Sequence, residues 1–320
     1  MKKSIALLLS LLLVVSALAA VTSCSQEKKA YTVGVCQLIQ HTALDAATEG
    51  FKKALEDELG AQVNVIVKNA SGDSNVCTTI VNGFVAQGVD LIMANATPAL
   101  QAAAAATDTI PILGTSVTEY GTALDITDFK GTVGGNISGT SDLAPLDEQA
   151  QMVKDLFPSA SKVGILYCSS EANSIYQVKM VTQYLKELGF TVTAYSFTDS
   201  NDVSSVTATA CAANDVLYIP TDNVAASNTE AIANVALDAK TPIIAGEEGI
   251  CKGCGVATLS INYYDLGYAT GKMAAKILKG EAKISEMPIE YAPQVTKKYN
   301  KANCEALNVT IPEGYIEITD

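Results

Sequence analysis

The sequence contains no arginine and no tryptophan, and its one histidine is His41. Each absence removes some chemistry. Without a guanidinium there is no forked, bidentate clamp for a carboxylate or a phosphate. An anion must then be held by backbone N–H groups, by hydroxyls or by lysine. With a single imidazole, histidine acid–base chemistry has one candidate, and a zinc site built on several histidines is excluded. Positive charge is also short. The 21 basic residues, all lysine, face 34 acidic ones, and the formal net charge is −13. Nucleic-acid binding needs a basic footprint, so that class is disfavoured. Long apolar runs are scarce as well: one spans Ile5 to Ala20, and no second follows it.

That run follows Lys2 and Lys3 and leads into Val21-Thr22-Ser23-Cys24-Ser25. A basic start, a short apolar run and small residues make a secretory signal. The run is too short for a comfortable membrane span, which needs about 20 apolar residues. Small residues directly before a cysteine resemble the signal of bacterial lipoproteins, with Val21 where leucine is usual. The resemblance implies cleavage before Cys24, lipid on Cys24, and residues 24–30 as a tether holding an extracytoplasmic domain at the membrane. An acidic domain gains nothing from anionic lipid, so the attachment would be by the lipid alone. With residues 1–23 removed, about 300 residues remain, enough for two domains.

Cysteine is plentiful but uneven. Beyond Cys24 stand Cys36, Cys77, Cys168, Cys211, Cys251, Cys254 and Cys304. Cys251-Lys252-Gly253-Cys254 has the spacing of a redox motif or of half a zinc site. No second pair is present, and the motif sits among glycines rather than opening a helix after a strand. A local disulfide, free thiols, and a metal or redox role all stay open for this pair. Cys36 and Cys168 lie in apolar, strand-like runs, where cysteine acts as a small hydrophobe.

The remaining chain alternates β-branched runs with helical stripes. Tyr31 to Ile39 reads as a strand. Leu44, Ala47, Phe51, Leu55 and Leu59 recur at three- and four-residue spacing, one face of a helix that Gly60 ends. Val63–Val67 and Val89–Ala94 are further strands, Val76, Ile80 and Phe84 stripe a helix between them, and an alanine-rich helix starts at Pro98. Ile110–Leu113 and Thr132–Asn136 read as strands. The pattern then restarts. A helix over 147–157 precedes strands at Lys162–Tyr167, Thr191–Phe197, Asp215–Ile219, Ile243–Ala245 and Gly255–Ser260, with helices between, and a last long helix covers Tyr264–Gly280. This predicts an α/β protein with two doubly wound parallel sheets.

In such sheets ligands bind beyond the carboxyl ends of the strands. Four of these ends carry polar clusters: Asn95-Ala96-Thr97-Pro98, Gly114-Thr115-Ser116-Val117-Thr118-Glu119, Cys168-Ser169-Ser170-Glu171-Ala172-Asn173-Ser174 and Pro220-Thr221-Asp222-Asn223. Each residue type there also caps helices. Four clusters at equivalent ends of two sheets point further, to a shared site. A ligand carboxylate suits helix N-termini together with Thr97 or Ser116. A ligand ammonium needs a buried carboxylate, for which Asp222, Glu171 and Glu247 are the candidates. His41, with Gln37 and Gln40 nearby, follows the first strand and is a further contact. No Gly-x-Ser-x-Gly elbow or Walker loop is present, and a cysteine–histidine pair would have to use His41. An enzyme is therefore not expected.

Taken in order, several segments resemble one family. They include Val33-Gly34-Val35, His41-Thr42-Ala43-Leu44-Asp45-Ala46-Ala47, Asn69-Ala70-Ser71-Gly72-Asp73, Thr97-Pro98-Ala99 and Ile110-Pro111-Ile112. The series continues through Gly135-Asn136-Ile137-Ser138-Gly139 with Ser141-Asp142, Glu171-Ala172-Asn173-Ser174, Pro220-Thr221-Asp222-Asn223 and Tyr263-Tyr264-Asp265-Leu266-Gly267. The chain resembles ABC transporter substrate-binding proteins, in the branch of tryptophan- and tyrosine-uptake proteins with the type I periplasmic-binding fold. The resemblance implies two lobes joined by three crossovers, 31–140 with about 263–285 and 141–262 with about 286–320. It places the neighbourhoods of His41, Thr97, Ser116, Ser141, Glu171, Asn173 and Asp222, which adjoins Asn223, at the cleft between them. It implies a monomer without cofactor that captures a small ligand, an aromatic or large apolar amino acid, for a permease and ATPase. Sugar or nucleoside binding on the same fold, or sensing for a receptor, are the alternatives. Thr42 departs from the family, which commonly shows proline there, and the Cys251/Cys254 pair is not a family feature.

Overall fold

In the computed structural model, which describes residues 30–292 and 294–319, the β-branched runs become strands and the three- and four-residue stripes become covering helices. The expected signal peptide, Cys24 and the tether before Ala30 lie outside the described residues. The first series runs β1 (Tyr31–Gln37), α1 (Thr42–Leu59), β2 (Val63–Asn69), α2 (Ser74–Gln87), β3 (Leu91–Asn95), α3 (Thr97–Ala106), β4 (Ile112–Val117), a short α4 (Tyr120–Ala123) and β5 (Ile137–Ser141). The second runs α5 (Leu146–Leu156), β6 (Lys162–Cys168), α6 (Ala172–Glu187), β7 (Thr191–Phe197), α7 (Val203–Ala213), β8 (Val216–Ile219), α8 (Asn223–Ser227), α9 (Thr229–Asp238), β9 (Ile243–Ala245), α10 (Glu248–Cys254) and β10 (Ala257–Ile261). Last come α11 (Tyr263–Leu278), β11 (Glu290–Tyr291), β12 (Val295–Tyr299), α12 (Lys301–Leu307) and β13 (Ile316–Glu317).

Two sheets form. The six-stranded sheet has the order β11-β5-β4-β3-β1-β2, with all neighbours parallel. The seven-stranded sheet has the order β13-β12-β10-β9-β8-β6-β7, and its one antiparallel pair is β10–β12. β3 and β4 are buried along their whole length because helices cover both faces of the sheet. The chain passes between lobes three times: after Ser141, after Ile261 and after Tyr291. On the second passage α11 returns to the first lobe and lies against α1. Gly50, Gly267 and Gly271 permit a near-touching approach of the two backbones. A Cβ on Gly267 would stand 1.9 Å from the Ala47 carbonyl oxygen, and one on Gly50 would stand 2.0 Å from that of Tyr264.

Some sequence expectations shift. Residues after about 286 are expected in the second lobe, but Glu290–Tyr291 pairs with Thr140–Ser141 in the first sheet. A two-residue strand has no periodicity to announce it. The strand expected over Thr132–Asn136 lies instead at Ile137–Ser141, because Gly134 and Gly135 turn the chain with φ of +83° and +58°. The helix expected between the strands at Asp215–Ile219 and Ile243–Ala245 breaks at Asn228 into α8 and α9. Cys251 and Cys254 sit on a helix, α10, despite their glycine neighbours. Gly253 is there for packing: a Cβ would meet the Thr229 side chain at 2.2 Å.

Candidate ligand-binding site

Three adjacent strand ends of the first lobe form one wall. The loop between β3 and α3 is twisted into the left-handed region at Ala96 (φ +92°), and β4 is twisted likewise at Ser116 (φ +53°). Non-glycine residues held there cost of order 1–3 kcal/mol, a strain that clusters at functional sites. The twist accompanies two buried hydroxyls, Thr97 Oγ1 and Ser116 Oγ, neither with a hydrogen-bond partner. Thr97 opens α3, whose Pro98 has no N–H to donate and suits the first turn. Directly after β5 comes Asp142, 3% exposed. Its Oδ2 accepts from the Tyr263 hydroxyl at 2.9 Å, while Oδ1 is buried without a partner. Burial raises the Asp142 carboxyl above the usual carboxylate range. The backbone joins these residues, since Ala96 N–H donates to the Thr115 carbonyl and Asp142 N–H to that of Val117. Leaving a buried polar group unpaired costs about 1–3 kcal/mol, so clustered orphans mark a place built to receive polar groups.

The facing wall comes from the second lobe. Glu171 Oε2 accepts from Asn173 Nδ2 at 3.0 Å and from Asn223 Nδ2 at 2.7 Å, and Oε1 accepts from Val224 N–H at 3.2 Å. Burial first, then the charge of Asp222, pushes Glu171 up to about 7. Asn173 also donates to the Thr221 carbonyl, and its Oδ1 is a buried orphan. Glu247 accepts from the N–H groups of Gly249 and Ile250 at the start of α10, and burial pushes it up to about 7. Four buried acids, Asp142, Glu171, Asp222 and Glu247, thus surround the gap. Among the described residues no lysine forms an ion pair with any of them.

The two walls touch. His41 Nε2 lies 3.2 Å from Asn223 Oδ1 across the gap. A Cβ on Gly249 would meet Thr42 Cβ at 3.3 Å, so the tips of α10 and α1 adjoin. Between the lobes a cavity of about 350 Å³ is lined by Leu38, Ile39 and Pro98 on one side and by Ser170, Glu171 and Val224 on the other. A more open hollow of about 600 Å³ near Tyr299 and Tyr315 is larger, but its lining comes from the second lobe alone and lies away from the gap.

The sequence candidates therefore divide. Thr97, Ser116, Asn173 and His41 each present an unpartnered buried atom. Glu171 and Asn223 link Asn173 to His41. The other candidates are occupied by the protein. Gln37 bonds Ile39, Asp45 and Thr48. Ser141 bonds Thr118 and Leu143. Asp222 accepts from Cys168 N–H, the Ser174 hydroxyl and Ala225 N–H. Glu247 caps α10. Asp142 is a further buried carboxylate, not among the sequence candidates; its signal is an acid placed directly at a strand end, beside Ser141. The seven described cysteines are buried free thiols. Burial and nearby acids raise the Cys251 thiol well above its ordinary range, which makes it a poor nucleophile.

A family model described as ABC transporter substrate binding protein matches residues 32–318. A tyrosine-binding protein of Clostridioides difficile is 35% identical over 288 residues, which cover 89% of this chain and 83% of that protein. A Streptococcus pneumoniae ABC domain solved in complex with L-Trp is 31% identical, with a TM-score of 0.85 over 89% of this chain and 99% of that one. The ligand-free, open structure of a substrate binding protein from Clostridium difficile is 35% identical. It gives a TM-score of 0.69 over 90% of this chain and 99% of that one.

Proposed function

The chain belongs to the ABC transporter substrate-binding proteins, and from that premise we propose that it captures a free amino acid with an aromatic side chain between its lobes. It is a solute-binding protein of an ABC importer and not an enzyme. The observation that carries the ligand class is the set of orphaned hydroxyls beside buried acids that lack a cation. Thr97, Ser116 and the amides opening α3 take the α-carboxylate, in a protein that has no arginine for the task. Asp142 Oδ1 and Asn173 Oδ1, acceptors from opposite lobes, take the α-ammonium. A sugar supplies hydroxyls but no cation for Asp142, whose Oδ1 is unpaired. The tyrosine and L-Trp of the relatives support an aromatic side chain.

Closure is the working step. A ligand gripped from both walls binds the closed form more tightly than the open one and draws the equilibrium towards it. The lobe arrangement supports this, because the chain fits the L-Trp complex better than the open structure, although the open protein is closer in sequence. The closed monomer docks on a permease driven by ATPase subunits. Lipid on Cys24 tethers it outside the cytoplasm; a Cys24→Ser protein that still partitions with detergent would overturn the tether.

Thermal shift against amino acids, sugars and nucleosides tests the ligand class. Tyrosine or tryptophan at a hundred times its dissociation constant adds about 2.7 kcal/mol of stability. Asp142→Asn, which can still accept from Tyr263, weakens that ligand by about tenfold or more, the scale of losing a charged hydrogen bond. A panel in which only sugars or nucleosides raise the melting temperature overturns the reading.

A further inference from the structure

His41 stands at the N-cap position of α1 but makes no capping hydrogen bond. Its ring is directed across the gap instead, and the hydrogen bonds around it fix which nitrogen carries the proton. Glu171 Oε2 accepts from Asn223 Nδ2 at 2.7 Å, which sets the orientation of that amide. The other end of the amide, Asn223 Oδ1, is then an acceptor. It lies 3.2 Å from His41 Nε2, so Nε2 carries the hydrogen and donates it. In a neutral ring this leaves Nδ1 as a bare acceptor, buried and without a partner. Burial favours the neutral ring.

The sheet order says which part of a ligand reaches this nitrogen. β5, β4, β3 and β1 lie side by side. Asp142 follows β5 and His41 follows β1, so three strand spacings, roughly 14 Å, separate them. Thr97 and Ser116 belong to the strand ends between. For an amino acid whose ammonium lies at Asp142 and whose carboxylate lies at Thr97 and Ser116, the next strand end along the sheet, open to its side chain, is that of β1. There Leu38 and Ile39, just ahead of His41, line the interlobe cavity with Pro98. Leu38, Ile39 and Pro98 offer an aromatic ring apolar contact in a lining that also holds polar residues such as Ser74 and Gln101. Of the bare acceptors at this end of the sheet, Asn95 Oδ1 is fully buried at the end of β3, and His41 Nδ1 belongs to the residue that reaches across the gap.

We propose that His41 Nδ1 accepts a hydrogen bond from a donor at the far end of the ligand's side chain, a phenol O–H or an indole N–H, and so selects tyrosine or tryptophan over phenylalanine and aliphatic amino acids. The assignment rests on the reading that the ligand is an amino acid. Phenylalanine fills the same space but leaves a buried acceptor unpaired, and sites built to bond a substrate hydroxyl discriminate strongly against an analogue that lacks it. Glu171 and Asn223 are positioning residues here, since they act through the His41 tautomer.

Calorimetric titration of the purified protein with tyrosine, tryptophan and phenylalanine tests the assignment. Wild type prefers tyrosine or tryptophan to phenylalanine by about tenfold or more. His41→Leu also removes the contact with Asn223 and so weakens all three ligands, but it brings the ratio of tyrosine to phenylalanine affinity down to about one, while His41→Gln, whose amide oxygen still accepts, keeps part of that ratio. A second readout needs no variant. Because the chain has one histidine, its ring nitrogens give a single pair of ¹⁵N signals. These report a protonated Nε2 and a bare Nδ1, and tyrosine shifts the Nδ1 signal whereas phenylalanine does not. Equal wild-type binding of all three amino acids, a tyrosine-to-phenylalanine ratio unchanged in His41→Leu, or an Nδ1 signal indifferent to tyrosine overturns the role of His41 alone. Failure of every amino acid to bind overturns the ligand class beneath it.

Discussion

Glu171 and Glu247 are buried beside the gap, neither in an ion pair among the described residues, and burial pushes both up to about 7. Between the ordinary value of 4.5 and about 7, the folded chain holds protons that the unfolded chain has released. Stability from these two groups is therefore fully present below the ordinary value and is lost as pH rises through about 7. His41 works the other way. Its pKa is lowered by burial, so acid below its ordinary 6.5 removes stability. Two carboxyls outweigh one imidazole, and the melting temperature of the ligand-free protein is expected to climb as pH falls from 8 towards 5. In Glu247→Gln, which cannot titrate, the climb is shallower; identical slopes in thermal melts across that range would refute the assignment. At this scale the sequence reveals which residue types stand at strand ends. It does not reveal which are already satisfied. Asp222 looks like an ammonium partner in the sequence, yet three donors from its own lobe fill its oxygens, while Asp142 keeps one free.

Helices α1 and α11 show what side-chain absence does for an element. Gly50, Gly267 and Gly271 let two backbones meet where any Cβ would collide. Gly267→Ala forces the pair apart, an overpacking expected to cost about 1–3 kcal/mol or more. Gly83→Ala on α2 is the matched control. Nothing lies within 4 Å of its added Cβ, and the change is expected to stabilise by roughly 0.5–1 kcal/mol through helix propensity. Denaturant melts of the two variants settle the point, and equal midpoints would remove the close-approach account. The long elements are legible in the sequence because their apolar stripes repeat several times, as from Leu44 to Leu59. α4, β11 and the break at Asn228 are not, since one turn of helix or two strand residues hold no full period. α10 was hidden for another reason: Gly253 disfavours a helix locally, and contact with Thr229 decides otherwise.

For the whole molecule, the lobes are joined by three passages and latched by His41 and Asn223. A line of contacts leads along the gap from Asp142 through Tyr263 at the hinge, and from Asn173 through Glu171 and Asn223 to His41. Ligand groups that satisfy both ends hold the lobes together. Solution scattering is expected to show a smaller radius of gyration with tyrosine or tryptophan than without, and no change with an amino acid that does not bind. A radius indifferent to saturating ligand would count against closure.

By itself the sequence determined the α/β class, the absence of an arginine clamp, the acidic surface and the positions of the polar strand ends, because these follow from residue counts and from local periodicity. Tertiary structure decided which of those polar groups remain unpaired. Hydrogen-bond satisfaction depends on partners far away in the chain, as Asn223 is from His41, and no local pattern encodes it.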